Sequence, residues 1–292
     1  NQTVTGGGTA PYLKSLNIAS TGTVNFSGTI GIGTDLIWTS GTISAGTSKI
    51  YTQYGSGTIN LGSQVLYDLD LAHSGYSRAV TGTLYVSHNL TVSGGTTLGG
   101  TLDVKGDITA TSGSVTSALI VSGSGAQSIS STAGFPTGTV TINKSAGVAT
   151  LATNLSLSTS GQDLLLQSGS LDLNGKTLTV NDLFTLSSGT TMYTSCGSYS
   201  PSSGVKFSNS GTIVGGSNVY LSIDDVTVTE GSAATLTVSL SGVNCAAVNF
   251  NYATTDGTAL AGSDYTSKSG SGSIAAGATS TTISVNTTAD GV

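Results

Sequence analysis

Charge is scarce in this sequence of 292 residues: 8 Lys and Arg stand against 14 Asp and Glu, and the formal net charge is −6. The basic residues form no cluster that could neutralise a run of phosphates, which argues against nucleic-acid binding. Catalysis needs a convergent set of acids, bases or nucleophiles, and so few titratable groups, only 2 of them His, argue against an enzyme. Pro occurs 3 times, too seldom for a Pro-rich linker or a mucin-like stalk. The 2 cysteines, Cys196 and Cys245, make no dense disulfide framework; they pair in an oxidising compartment or remain ordinary buried thiols. No stretch approaches the roughly 20 apolar residues of a membrane helix, and no charged-then-apolar segment opens the chain. A start at Asn1 rather than Met is what removal of an export signal would leave. These features together place the protein outside the cell or on its surface.

What remains is Gly, with 42 residues, and abundant Ser and Thr among alternating aliphatic side chains. Alternation separates the chain from disordered polar sequences, because it gives every short run one face to bury. Thr83-Leu84-Tyr85-Val86, Asn89-Leu90-Thr91-Val92 and Thr177-Leu178-Thr179-Val180 are such runs, with Gly- and Ser-containing turns between them. Sequence likenesses recur at about 70 residues: Gly100–Gly106 matches Gly169–Gly175, Asn89-Leu90-Thr91-Val92 matches Asn154-Leu155-Ser156-Leu157, and Leu69-Asp70-Leu71 matches Val140-Thr141-Ile142. At about twenty residues per coil, one such unit holds about three coils of a parallel β-helix. Residues 1–218 are therefore expected to form a repetitive β-solenoid, and they resemble the solenoid segments of bacterial surface adhesins. Inward Leu, Ile and Val would make its core, while outward Thr and Ser keep strand propensity and hydrate. Residues 190–218, with Cys196 and Pro201, read as an irregular cap.

From Tyr220 the character changes. Leu221–Gly231, Tyr252-Ala253-Thr254-Thr255-Asp256-Gly257-Thr258-Ala259, Ala261-Gly262-Ser263-Asp264-Tyr265, Ile274-Ala275-Ala276-Gly277 and Thr282-Ile283-Ser284-Val285 follow one another in an order and spacing that resemble the Calx-beta family. The resemblance implies that residues 219–292 form an immunoglobulin-like sandwich, incomplete at its C-terminal end, whose acidic side chains bind calcium at one end of the sheets. Glu230, Asp264 and Asp290 stand at the matching positions, with Asp256 nearby. Calcium takes six to eight oxygen ligands, so three carboxylates supply only part of its shell. Asp224-Asp225, Asp256-Gly257 and Asp290-Gly291 equally suit tight turns, and turn formation is the better account of Asp256. The absent last strand implies either a fragment of a longer protein or strand donation by a neighbouring subunit.

A few other residues bear on chemistry. Asp68 and Asp70 alternate on one strand and come closest to a carboxylate pair, but a solvated face explains them equally well. His73 and His88 read as surface residues. Thr139/Thr141 and Thr177/Thr179 resemble parts of a threonine array that orders water, but their spacing is irregular and strand propensity accounts for them better. The expected whole is an all-β extracellular structural protein, non-enzymatic, self-associating into a fibre or filament. The alternative is a stalk segment of a monomeric calcium-dependent adhesin with a cell-surface ligand. A polysaccharide-active β-helix enzyme and an ice-binding protein are the remoter readings.

Overall fold

Strands that alternate inward aliphatic with outward polar residues can bury their apolar edges only against equivalent strands, and in this chain they do so by coiling. The computed structural model describes residues 2–6, 12–52, 54–72, 75–94, 97–111, 118–131, 136, 138–201, 206–214, 219–242 and 244–289. Among these the secondary structure is all β, with no helix. The chain divides into two compact units, residues 1–214 and 215–292.

The first unit is a β-solenoid of about nine turns. Its strands pair in parallel, each with the strand one coil away. One stack runs Ile30, Ile50, Leu69, Leu90, Ile108, Ile129, Leu151, at intervals of 20, 19, 21, 18, 21 and 22 residues. A second runs Leu84, Leu102, Leu119, Val140, Leu164, Phe184, Phe207, and a third Leu155, Leu178, Tyr199. All of the first stack is buried, and so is the second as far as Phe184. Burying each such side chain stabilises the fold by about 1.5–3 kcal/mol.

The sequence likenesses at about 70 residues do not recur as a structural register. Leu102 stands in the second stack between Leu84 and Leu119, whereas its sequence match Leu171 sits between Ala149 and Met192. Leu90 and Leu155 are likewise in different stacks, as are Leu69 and Val140. The structural repeat is the single coil, and its length varies too much for any fixed multiple to persist. Short runs of the form Leu-x-Val look alike on every face, so sequence similarity alone does not tell the faces apart. Nor are the described residues between 190 and 214 irregular. Thr191–Tyr193, Ser198–Pro201, Lys206–Asn209 and Thr212–Val214 each pair in parallel with the coil before them.

Two cations are buried in this solenoid. Arg78, 2% exposed, donates to the carbonyl oxygens of Ile32 at 3.1 Å, Gly33 at 2.7 Å and Thr34. Lys144, 1% exposed, donates to the Ser122 carbonyl at 3.1 Å and to Gln127 Oε1 at 2.9 Å. Gln127 in turn donates to the carbonyls of Val104, at 3.0 Å, and Gly106. The lysine is thus held by dipoles, and burial pushes its pKa down. Gly169 makes room for it: the backbone there has φ +77°, and a Cβ would lie 2.5 Å from that of Lys144.

The second unit is antiparallel. Its strands are β1 (Leu221–Ile223), β2 (Ala233–Leu240), β3 (Val248–Ala253), β4 (Ser269–Ile274) and β5 (Ser280–Asn286). One sheet has the order β1-β2-β5 and the other pairs β3 with β4. Val238, Leu240, Ile274 and Ile283 form its buried core, with Val248, Phe250 and Tyr252 half-buried against it.

Candidate functional site

In a parallel coil the residue just before a buried strand residue faces outward, close to the backbone of the next coil. When it is Asp or Asn, its side-chain oxygen can accept the N–H directly above. Six of the described residues do this. Asp68 Oδ1 accepts from Asn89 N at 2.9 Å, Asn89 Oδ1 from Asp107 N at 2.9 Å, and Asp107 Oδ1 from Ser128 N at 2.8 Å, a ladder across four successive coils. Asp35 accepts from Thr58 N at 2.8 Å, Asn154 from Thr177 N at 2.9 Å and Asp163 from Leu183 N at 3.1 Å. The Asp35 carboxyl is held below its usual pKa, chiefly by the Thr58 N–H; desolvation opposes this, while the hydroxyls of Ser15 and Thr34 and the Arg78 charge add to it. These clamps escaped the reading for motifs. Their signal is an Asp or Asn placed immediately before the first aliphatic residue of a strand, as in Asp35-Leu36, Asp68-Leu69, Asn89-Leu90, Asp107-Ile108, Asn154-Leu155 and Asp163-Leu164.

The two carboxylates that came closest to a catalytic pair have separate partners. Asp68 also meets His88 Nδ1 at 2.7 Å, and the imidazole stacks on Tyr67 with ring centroids 4.5 Å apart. Asp70 pairs with Lys49 Nζ at 3.4 Å. Asp103 accepts from the Ser122 hydroxyl, and Asp172 from the backbone of Asn174 at 2.8 Å. His73 lies outside the described residues. The threonine pairs do not build an array: Thr141 stands between Ile120 and Leu165, and Thr179 pairs with Ser156 and Ser200.

In the second unit three segments meet at the backbone level. Glu230 precedes Gly231, whose φ is +79° and whose Cβ, if present, would lie 3.2 Å from that of Ala289. The Ser232 carbonyl accepts from Thr287 N at 3.1 Å and from its hydroxyl at 2.7 Å. The Asp264 carbonyl accepts from Thr288 N at 2.9 Å. The chain around Glu230, Asp264 itself and residues 287–289 therefore adjoin. Asp290 lies outside the described residues. Asp264 Oδ2 accepts from Leu260 N at 2.6 Å, and Asp256 Oδ1 accepts from the Tyr265 hydroxyl at 2.6 Å and Ala261 N at 2.8 Å. Through those bonds Asp256 ties the 256–265 loop together; the Tyr265 hydroxyl is the larger cause of its lowered pKa, and the Tyr265 pKa rises in return. Among the described residues no group of three or more His, Cys, Asp or Glu could hold a metal ion. Calcium takes six to eight oxygen ligands, more than Glu230 and Asp264 together could supply.

Residues 217–292 match the family model of the Calx-beta domain. No curated protein and no solved structure matches the chain. Calx-beta domains are immunoglobulin-like β-sandwiches, are associated with calcium binding, and are typical of extracellular or membrane-associated proteins. No helix of the described residues is long and apolar enough to cross a membrane.

Proposed function

We propose that this protein is an extracellular, non-enzymatic structural protein that assembles into a surface fibre. The observation that carries the reading is the parallel pairing of successive solenoid coils, with aliphatic side chains stacked inside from one coil to the next. A parallel stack grows by adding like coils, so a second copy laid on it end to end would continue the same pairing into an open filament. The use of the solenoid's carboxylates as coil-to-coil acceptors supports a mechanical rather than a catalytic role. Electron microscopy of the purified protein in millimolar calcium tests this: filaments with a repeating subunit are expected, and isolated short rods would reject the fibre.

A second reading, a stalk segment of a calcium-dependent adhesin, is favoured by the meeting of the Glu230 turn, Asp264 and residues 287–289. Calcium held there would tie three segments of the sandwich together. The expected outcome is a calcium-dependent rise in the thermal midpoint of the second unit that disappears when Glu230→Ala and Asp264→Ala are combined. A rise that survives both substitutions would dismiss these ligands.

A further inference from the structure

The strand Val140–Leu151 carries the chain from the second stack, at Val140, to the first, at Leu151, and Lys144 is buried within that passage. Its Nζ donates to the Ser122 carbonyl at 3.1 Å and to Gln127 Oε1 at 2.9 Å, and to no other acceptor among the described residues. A protonated lysine has three N–H groups, a neutral amine two. Two acceptors therefore satisfy the neutral form and leave the charged form with a donor unmet. No carboxylate compensates. Residues 118–131, which pair along this strand, contain no titratable side chain. One coil further back, Asp103 accepts from the Ser122 hydroxyl, Asp107 accepts from Ser128 N at 2.8 Å, and Lys105 is exposed. On the following coil Asp163 accepts from Leu183 N at 3.1 Å and Asp172 from Asn174 N at 2.8 Å. Among the described residues none of these groups forms an ion pair with Lys144.

We infer that Lys144 is a proton-operated latch: as the neutral amine it joins three successive coils through Ser122 and Gln127, and uptake of a proton loosens them. The amine fixes the Gln127 amide by donating to its oxygen, and the Nε2 of that amide then donates to the carbonyls of Val104 and Gly106, one coil further back. Protonation adds a buried charge and a third N–H with nothing to receive it, both unfavourable away from water. Burial lowers the pKa of Lys144 from 10.5, the value it regains when the chain unfolds. Between the lowered value and 10.5 the unfolded chain binds more protons than the folded one, so stability rises with pH across that interval. The gain is complete above 10.5 and is lost as pH falls through the folded value. The latch belongs to the solenoid alone and rests on neither the fibre nor the calcium reading.

The test uses the whole chain with its 7 lysines carrying carbon-13 at Cε, titrated by NMR. The Lys144 resonance is assigned through its own side chain in the wild type, so this reading depends on no variant folding. Lys144 should lose its proton at lower pH than the other six, and titration together with them would overturn the latch. Urea denaturation of the wild type and Lys144→Met from pH 7 to about pH 11 gives the second reading. The folding equilibrium constant of the wild type, divided by that of Lys144→Met, should rise with pH by up to about tenfold per pH unit between the folded value and 10.5, and level off above it. Titrations common to both chains cancel in that ratio. A ratio independent of pH would equally overturn the proposal.

Discussion

At the level of single residues the notable economy is in the polar side chains. Asn89 both donates its N–H to Asp68 and accepts from Asp107, so it links three coils. Asn89→Ala removes the acceptor and should lower stability by about 1 kcal/mol in chemical denaturation, while Asn89→Asp, which keeps an acceptor at that place, should cost much less. Asp35 gives a pH signature. Its folded pKa lies below the model-compound 3.8, so its contribution is present above the unfolded value and is lost as pH falls through the lower folded value. The thermal midpoint of Asp35→Asn should therefore lie below that of the wild type at neutral pH, and the gap should close in acid below pH 3.8. A gap independent of pH would assign the effect to something other than the carboxylate. Neither role was evident from composition, because a single Asp or Asn before a Leu is common. Its meaning comes from the backbone one coil away.

Among the strands, the sequence was informative wherever burial follows a period of two. Thr83–Val86, Thr101–Val104 and Thr177–Val180 all alternate as expected, with their Leu and Val side chains buried. A coil of about twenty residues was expected from β-helices in general, and the strand pairings, at intervals of 18 to 22 residues, agree with it. The face to which each strand belongs was not legible, since Leu102 and Leu171 have the same local pattern and different neighbours. The buried cations were hidden for a related reason. Arg78 shares the inward face of an ordinary strand with Val80, and only the coils around it show that it reaches three carbonyl oxygens. In the sandwich, family resemblance marked Glu230 and Asp264, and main-chain bonds brought their neighbourhoods together. The carboxylate geometry was beyond what residue order alone could specify.

Taken as a whole, the first unit owes its cohesion to one operation repeated coil after coil: aliphatic side chains stack inside while backbone and clamp hydrogen bonds join each turn to the next. Charge is unnecessary for that architecture, which accounts for the composition. Most depends on the starts of the strands, not only their interiors, being locked by side-chain acceptors. Backbone amide exchange followed along the chain tests it most directly. The N–H groups of Thr58, Asn89, Asp107, Ser128, Thr177 and Leu183 should be protected as strongly as the strand interiors that follow them. Exchange at those six amides as fast as in exposed loops would contradict the account.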